Sequence, residues 1–514
     1  MNVYVGGDVR GIQDFIFASP RLLEMRGASA VLRLFDHEVV GRLAKKHGGT
    51  KIFAGGGNFL VSLPASSEKP AGEVAKPFLQ DAKAAFFELT GGHEIVVEAW
   101  AEGAEGFAGA RERLDHEIRL RKRQPTTARA LASFPFLKRC ESCAREEADV
   151  LHGFGDDEGE RWIGPSCWAK RQMHVQLQRL QKTGRCPGLK VVGVGETLLP
   201  SLPLDDMRLA ALPKTFQELA GDDDLGLVVA DGNGLGEMFQ GCSLKEYEDL
   251  SERVDRALKE ALGAALLQAF GADRKSWRAQ VLICGGDDLV VALPARKALG
   301  FARELIAAFR VPHRGKVAGM AAGVVFAKPG FPFRTAHELA EELLRGAKAH
   351  CRRSPGRLAA LDFHRVLGTN VQDLAAERRA LLPADDDGQH ESWSYGAAGP
   401  YDADELDALQ TLAKILRRLP RSQLGRLRQI LSPRDDSVAA EDRDSHWRVP
   451  RRVLAELRSW RSRQEGLEPT ELAIGTEPDS RLIQSREEKG RKGPRNVHRW
   501  VLADALRLAE QGEV

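Results

Sequence analysis

The sequence predicts an α+β chain: a duplicated domain with mainly antiparallel sheets, a small cysteine-rich module between the copies, and a helical C-terminal domain. Three observations predict it. Residues 282–294 (LICGGDDLVVALP) and 52–64 (IFAGGGNFLVSLP) share one pattern of apolar run, two-glycine turn, second apolar run and closing Leu-Pro. Each copy has an upstream apolar segment, Val3-Tyr4-Val5-Gly6-Gly7-Asp8 in the first and Leu227-Val228-Val229-Ala230-Asp231-Gly232 in the second. Around both, strand-like and helix-like stretches alternate in mixed order with a tight hairpin at each glycine pair, which favours antiparallel sheets.

Taken in order, residues 1–135 form the first copy, with strands at Tyr4, Ile52–Ala54, Phe59–Leu63 and Ile95–Ala99 and helices around 20–47, 72–90 and 104–122. Residues 136–195 are rich in Cys, Trp, Gly and charge and fit neither repeat. The second copy, 196–368, places strands at 225–230, 280–284, 289–293 and 317–326 and helices at 243–270, 296–309 and 335–352. In the last region, 369–514, residues 383–402 read as a loop. Helical periodicity returns at Glu405–Leu419 and Pro450–Arg463.

Bulk composition excludes some classes. The 514 residues carry 43% apolar and 29% charged residues and a net charge of +2, an ordinary balance for a globular protein of several domains. No apolar run approaches the roughly 18–20 residues of a membrane span, and the N-terminus lacks a charged-then-apolar leader. Seven cysteines are too few and too odd in number for a disulfide framework. These features predict a cytoplasmic protein without a membrane partner. Charge is uneven, however: residues 411–514 hold 22 Lys/Arg against 16 Asp/Glu.

The second copy carries chemistry that the first lacks. Nucleotidyl transfer uses two divalent cations, and Mg²⁺ or Mn²⁺ takes hard oxygen ligands. Asp287 and Asp288 at a hairpin tip, beside Asp231 at the end of a neighbouring strand, are candidate metal-binding and catalytic residues. Gly285 and Gly286 permit the tight turn. Gly232, Gly234 and Gly236 lead towards a helix whose backbone N–H groups suit phosphates. Gly-Gly-Asp-Asp also makes a solvated turn; Asp231 upstream and a basic helix downstream favour the metal reading. That helix carries Lys348 and Arg352 one turn apart, either as a solvated basic face or as a grip on the β- and γ-phosphates.

The order strand–Asp, GGDD hairpin, strand with Gly323, then a helix containing Ala-Lys-x-x-x-Arg resembles the palm domain of GGDEF-type nucleotide cyclases. Gly-Asp-Val-Arg-Gly-Ile-Gln-Asp-Phe-Ile-Phe (7–17), the GGGN copy, a cysteine module, the GGDD copy and a helical tail resemble the large catalytic subunit of type III CRISPR effector complexes. The resemblance implies two ferredoxin-like palms and synthesis of a nucleotide second messenger, usually cyclic oligoadenylate, from ATP when target RNA binds. It implies metal binding and catalysis by Asp231, Asp287 and Asp288, and triphosphate contacts from Lys348 and Arg352. Asp8, Gly55 and Gly56 would belong to a degenerate palm that holds the acceptor nucleotide. Implied partners are the backbone, small and guide-handling subunits, with CRISPR RNA and target RNA reached through the complex.

The sequence departs from the family pattern in two ways. No HD-type cluster is present, Asp115-His116 reading as a solvated helix pair, so HD nuclease activity is not expected. Position 233 is Asn where the family often has a second Asp, which bears on the product and its chain length; relatives without the nuclease domain imply adenylation of S-adenosylmethionine as an alternative reaction. Another alternative is a non-catalytic nucleotide-binding scaffold, and a third is a stand-alone diguanylate-type cyclase.

Cys140-Glu-Ser-Cys143 is a C-x2-C knuckle, with Cys167 following. Structural zinc is expected, against a metal-free remnant, with His174, His152 or Cys186 as candidate fourth ligand. Cys242, Cys284 and Cys351 read as core or incidental. In the tail, Trp447-Arg448, Arg451-Arg452, Arg458, Trp460-Arg461, Arg463, Arg491, Lys492, Arg495, Arg499 and Trp500 interleave aromatics with cations. This is either an RNA-contacting pattern or an amphipathic helix with a solvated face.

Overall fold

A computed structural model describes residues 2–65, 70–124, 137–154, 159–201, 213–273, 276–354, 356–366, 391–394, 399–422, 424–426, 483–490, 493–500, 504–505 and 508–509. The chain divides into two compact units, Met1–Leu344 and Arg345–Val514.

The first unit opens with β1 (Asn2–Val9), followed by α1 (Ile12–Ile16), α2 (Leu22–Leu34), a π-helical turn at Phe35–Val39 and α3 (Val40–Lys46). The single helix expected at 20–47 is therefore interrupted, and the π turn buries Asp36 beneath the first glycine hairpin. Strands β2 (Thr50–Gly55) and β3 (Asn58–Pro64) form that hairpin, and α4 (Ala71–Thr90), β4 (Ile95–Ala101) and α5 (Gly106–Arg123) complete the repeat. The strands lie in the order β2-β3-β1-β4, all antiparallel, which is the ferredoxin-like arrangement. Phe35, Phe59, Phe78 and Phe86 pack edge-to-face or tilted beneath the sheet.

The module between the repeats has hairpin β5 (Val150–Phe154) and β6 (Gly159–Ile163), helix α6 (Pro165–Thr183) and a short ladder of β7 (Leu189–Lys190) with β8 (Thr197–Leu198). Helix α6 packs on α2 at Gly27, where a Cβ would lie 1.8 Å from the Lys170 carbonyl oxygen. A buried trio secures the contact: Ser142 Oγ donates to Glu24 at 2.8 Å, and Arg171 donates to both Glu24 and Ser142.

The second repeat runs α7 (Phe216–Ala220), β9 (Leu225–Asn233), α8 (Leu235–Phe239), α9 (Leu244–Phe270), β10 (Gln280–Gly285), β11 (Asp288–Pro294), α10 (Ala295–Ala308), β12 (Val311–His313), β13 (Lys316–Ala327) and α11 (Phe333–Arg353). Ser243 and Glu246 cap α9 reciprocally, which is why that helix starts where the sequence places it. The strand order β10-β11-β9-β13-β12 reproduces the first repeat and adds β12 at the edge. Gly323 earns its place in β13 by proximity: a Cβ there would lie 2.0 Å from the carbonyl oxygen of Ala340 in α11.

The second unit contains β14 (Ala360–Arg365), β15 (Glu391–Ser394), α12 (Ala403–Leu416), β16 (Ile483–Gly490) and β17 (Gly493–Trp500). Helix α12 agrees with the periodicity after Glu405. Arg357 anchors its first turn, donating to both Glu405 oxygens at 2.8 and 2.9 Å. Two expectations are corrected. A strand, β15, occupies part of the loop expected at 383–402. The tail is not wholly helical, because β16 and β17 form an antiparallel hairpin with β15 parallel to β17. The expected helix at 450–463 and its Trp/Arg pattern lie outside the described residues, as do Arg491 and Lys492. Among the described residues no helix is long and apolar enough to cross a membrane.

Candidate active site

The two repeats match residue for residue at their hairpins. Gly55 pairs with Asn58 in the first, and Gly285 with Asp288 in the second. Both hairpins carry a register shift three residues before the glycine pair, between Lys51 and Phe53 and between Val281 and Ile283. In the first repeat Gly7 pairs with Phe59 and Asp8 with Asn58; in the second Ala230 pairs with Leu289, so Asp231 takes the position of Asp8. Tertiary structure thus equates Asp8/Asn58 with Asp231/Asp288.

The two hairpin turns meet backbone to backbone. A Cβ on Gly285 would lie 2.3 Å from the Gly56 nitrogen, and one on Gly56 would lie 3.0 Å from the Gly285 carbonyl oxygen. Gly56 and Gly286 also have φ of +63° each, so glycine is required there for conformation as well. Elsewhere across the interface, Arg26 of α2 donates to Gln280 of β10 at 2.7 Å and to the Pro213 carbonyl at 2.8 Å. Burial lowers its guanidinium to about 9.

Beside the joined turns opens a cavity of about 350 Å³ lined by residues of both repeats. Asp8, Gly56, Asn58 and Lys122 face Asp288, Arg334, His337 and Glu338 across it. Lys122 donates to Asp8 at 2.7 Å. Burial raises the Asp8 carboxyl above its ordinary value, against the opposing effect of Lys122. Burial holds His337 near 4, so its imidazole is neutral at pH 7.

Asp288 is exposed and Asp231 and Asp287 are half-buried at the same strand ends. A Cβ on Gly232 would lie 2.9 Å from an Asp287 carboxylate oxygen, so glycine makes room for that side chain next to Asp231. Asp231 near the end of β9, Asp287 in the hairpin turn and Asp288 at the start of β11 bring to adjoining positions oxygen donors of the class a hard divalent ion takes. Asp231 and Asp287 do not line the 350 Å³ cavity. Gly234 turns the chain with φ +82° into α8, a helix of five residues with Gly236 in its first turn. Lys348 and Arg352 both lie on the last turns of α11, the first half-buried and the second exposed.

In the cysteine module the structure brings Cys140, Cys143, Cys167 and Glu146 together, their ligand atoms all within 4.8 Å of one another. Neither His174, His152 nor Cys186 is in this group. His174 is buried, its ring held near 3 by desolvation, and His152 stacks on Trp168 with centroids 3.4 Å apart. Glu146 was missed in the sequence although C-x2-C-x2-E spacing was there to read. Its carboxylate also accepts from the Ser166 and Cys167 amides at 3.2 and 3.0 Å, at the start of α6. Mutual hydrogen bonding holds the Cys140 thiol far below its usual range and pushes Cys143 up to about 12. Three sulfurs and one carboxylate fit tetrahedral zinc. Of the other cysteines, Cys242 is buried while Cys284 and Cys351 are half-exposed.

Comparison with known proteins agrees with this architecture. Residues 224–355 match the family model of the Cas10/Cmr2 second palm domain. No curated protein matches the sequence. Among solved structures, the apo Csm1-Csm4 cassette is 18% identical with a TM-score of 0.60, covering 100% of this chain and 70% of that one. The Csm1-Csm4 cassette in complex with cA4 is 19% identical with a TM-score of 0.53, covering 84% and 62%. Csm1 in T.onnurineus is 19% identical with a TM-score of 0.50, covering 84% and 60%. The chain thus spans about two thirds of the length of these relatives. Residues 224–355 thus carry a Cas10/Cmr2-type second palm domain, and the chain shares its fold with Csm1 of the solved cassettes.

Proposed function

We propose that this chain is the catalytic subunit of a type III CRISPR RNA-guided complex, making a cyclic oligoadenylate messenger from ATP when target RNA is bound. The observation that carries the reading is the composite cavity. Two equivalent hairpins, one with its acidic pair and one without, join at their glycines and open on one space lined by both Asp8 and Asp288. Such a geometry suits two nucleotides, one offering a 3′-hydroxyl and the other an α-phosphate. The solved relatives include Csm1-Csm4 cassettes in complex with cA4, cA3 and pppApApA, which supports this class of ligand.

In this reading Asp231, Asp287 and Asp288 hold Mg²⁺ or Mn²⁺, which when bound supplies charge neutralisation at the triphosphate. Gly285 and Gly286 let the nucleotide approach the backbone, as do Gly232 near the end of β9 and Gly234 and Gly236 where α8 begins. Gly55, Gly56 and Asp8 shape the acceptor side, and Lys348 and Arg352 are the triphosphate contacts. Zinc at Cys140, Cys143 and Cys167, with Glu146 as fourth ligand, would brace the module against α2. Csm4-like and other effector subunits, with CRISPR RNA and target RNA, are the proposed partners in the cytoplasm.

The test is mass spectrometry of products from ATP and Mn²⁺, with and without S-adenosylmethionine, for the chain alone and in its RNA-loaded complex. Cyclic oligoadenylates from the target-bound complex are expected. Adenylated S-adenosylmethionine would keep the active site and change the messenger. No product from that complex would leave a nucleotide-binding scaffold, and product without RNA or partners would mean a stand-alone cyclase.

A further inference from the structure

The first palm has one carboxylate where the second has three. Asp8 is retained, Asn58 stands for Asp288, and Gly57 stands for Asp287. One carboxylate is the least that holds a divalent ion of the Mg²⁺ type, and this one is already engaged by a cation. Instead, the Lys122 ammonium lies 2.7 Å from the Asp8 carboxylate, a charge-assisted bond at the wall of the shared cavity.

The lysine is held in place from below. Arg10, two residues beyond Asp8, donates from Nη1 to the carbonyls of Lys122 at 3.0 Å and Gln124 at 2.6 Å, and from Nη2 to that of Arg121 at 2.8 Å. These carbonyls belong to the last turn of α5 and the residue after it, where a helix runs out of backbone donors, though that of Arg121 also accepts the Gln124 amide at 3.1 Å. One strand end therefore supplies both the carboxylate and the clamp that presents the cation to it.

Charge makes this arrangement consequential. Asp8, Asp14, Asp288 and Glu338 line the cavity, against Lys122 and Arg334. Arg334 is engaged by Asp14 at 3.1 Å and Glu338 at 3.0 Å. A polyphosphate entering on the first-palm side meets Lys122 as the cation nearest Asp8. An ammonium has three donors, so a bond to Asp8 is compatible with bonds to phosphate oxygens.

We propose that Lys122 is a tethered cation that takes the place of a divalent ion in the first palm and binds a phosphate group of a nucleoside triphosphate there. This assignment rests on the two-palm nucleotidyl-transfer reading and names the residue that holds the nucleotide on the metal-free side. The first palm then binds its nucleotide without metal, while the second requires one.

The experiment measures ATP binding in EDTA by calorimetry, using the full chain with Asp287→Asn and Asp288→Asn so that the first palm dominates. Metal-free binding should persist in this background. Lys122→Met should weaken it about tenfold and Lys122→Arg by about threefold or less, since arginine keeps the charge. Asp8→Asn should tighten it about threefold, because a negative charge beside the phosphate is removed while Arg10 still holds the helix end. If Lys122 were only a structural partner of Asp8, Asp8→Asn would weaken binding as much as Lys122→Met does, and that result overturns the proposal. So does ATP binding that is indifferent to Lys122→Met, or binding in this background that requires Mn²⁺. In the last case Mn²⁺-dependent product from the unsubstituted complex would still uphold the proposed function. Absence of both binding and product would remove both.

Discussion

Gly285 of one hairpin and Gly56 of the other are in backbone contact, with 2.3 Å between the Gly56 nitrogen and the point where a Gly285 Cβ would stand. Neither turn can carry a side chain at this point without moving the other. Gly285→Ala should therefore part the turns, costing about 1–3 kcal/mol by the measure of other overpacked sites. Denaturant titration would show the loss as a lower midpoint with the slope unchanged. A midpoint identical to that of the parent chain would mean that the turns are not in contact in solution.

The Asp288 side chain is exposed and that of Asp287 only half-buried, so chemistry and stability separate at these two positions. Asp287→Asn with Asp288→Asn should reduce product in the target-bound complex by at least roughly a thousandfold, consistent with loss of a metal site. Thermal midpoints should stay within a few degrees. Residual product at the parental rate would locate the metal ligands elsewhere.

Zinc content offers an independent check on the module. Elemental analysis should find about one zinc per chain. Cys140→Ser should abolish it, whereas Glu146→Gln should weaken retention against a chelator and also loosen the start of α6. Retention unaffected by Glu146→Gln would limit this residue to its helix-capping role.

The Glu24–Arg171 pair is 0% and 4% exposed and ties α2 to α6. Removing one partner leaves the other charge buried, so Arg171→Met should cost about 3–5 kcal/mol. Paired replacement of Glu24 and Arg171 by apolar residues should restore most of that loss. An additive double mutant would deny the coupling.

Asp36 accepts the Gly57 amide at 2.9 Å beneath the first hairpin, and burial pushes its carboxyl up to about 7. The folded value lies above the unfolded one, so the folded chain binds the extra proton between about pH 4 and 7. Stability from this group is present below pH 4 and falls as pH rises, by about 1 kcal/mol per pH unit in that window. Asp36→Asn keeps the acceptor oxygen and should flatten the profile, raising the thermal midpoint at pH 8 relative to the parent. A parent midpoint that climbs steadily from pH 4 to 7, with no difference from Asp36→Asn, would contradict this.

Much of the fold was legible because it is locally encoded. Alternating apolar runs around GG turns place β2, β3, β10 and β11, and the Ser243–Glu246 box marks the start of α9. The C-terminal hairpin escaped because 483–490 and 493–500 hold few apolar residues and show no strand alternation, and pairing of β16 with β17 is a matter of partners rather than propensity.

By itself, the sequence determined the duplication, the acidic pair retained in one copy and lost in the other, and the three thiols of a metal module, since each is a matter of residue identity at fixed spacing. Only the tertiary structure decided that the two hairpins touch through Gly56 and Gly285, that Lys122 answers Asp8, and that Glu146 rather than a histidine joins the cysteines. These are contacts between residues far apart in the chain, or choices among several donors of similar chemistry. Spacing cannot rank such alternatives, because burial and backbone approach in the folded state select the partner.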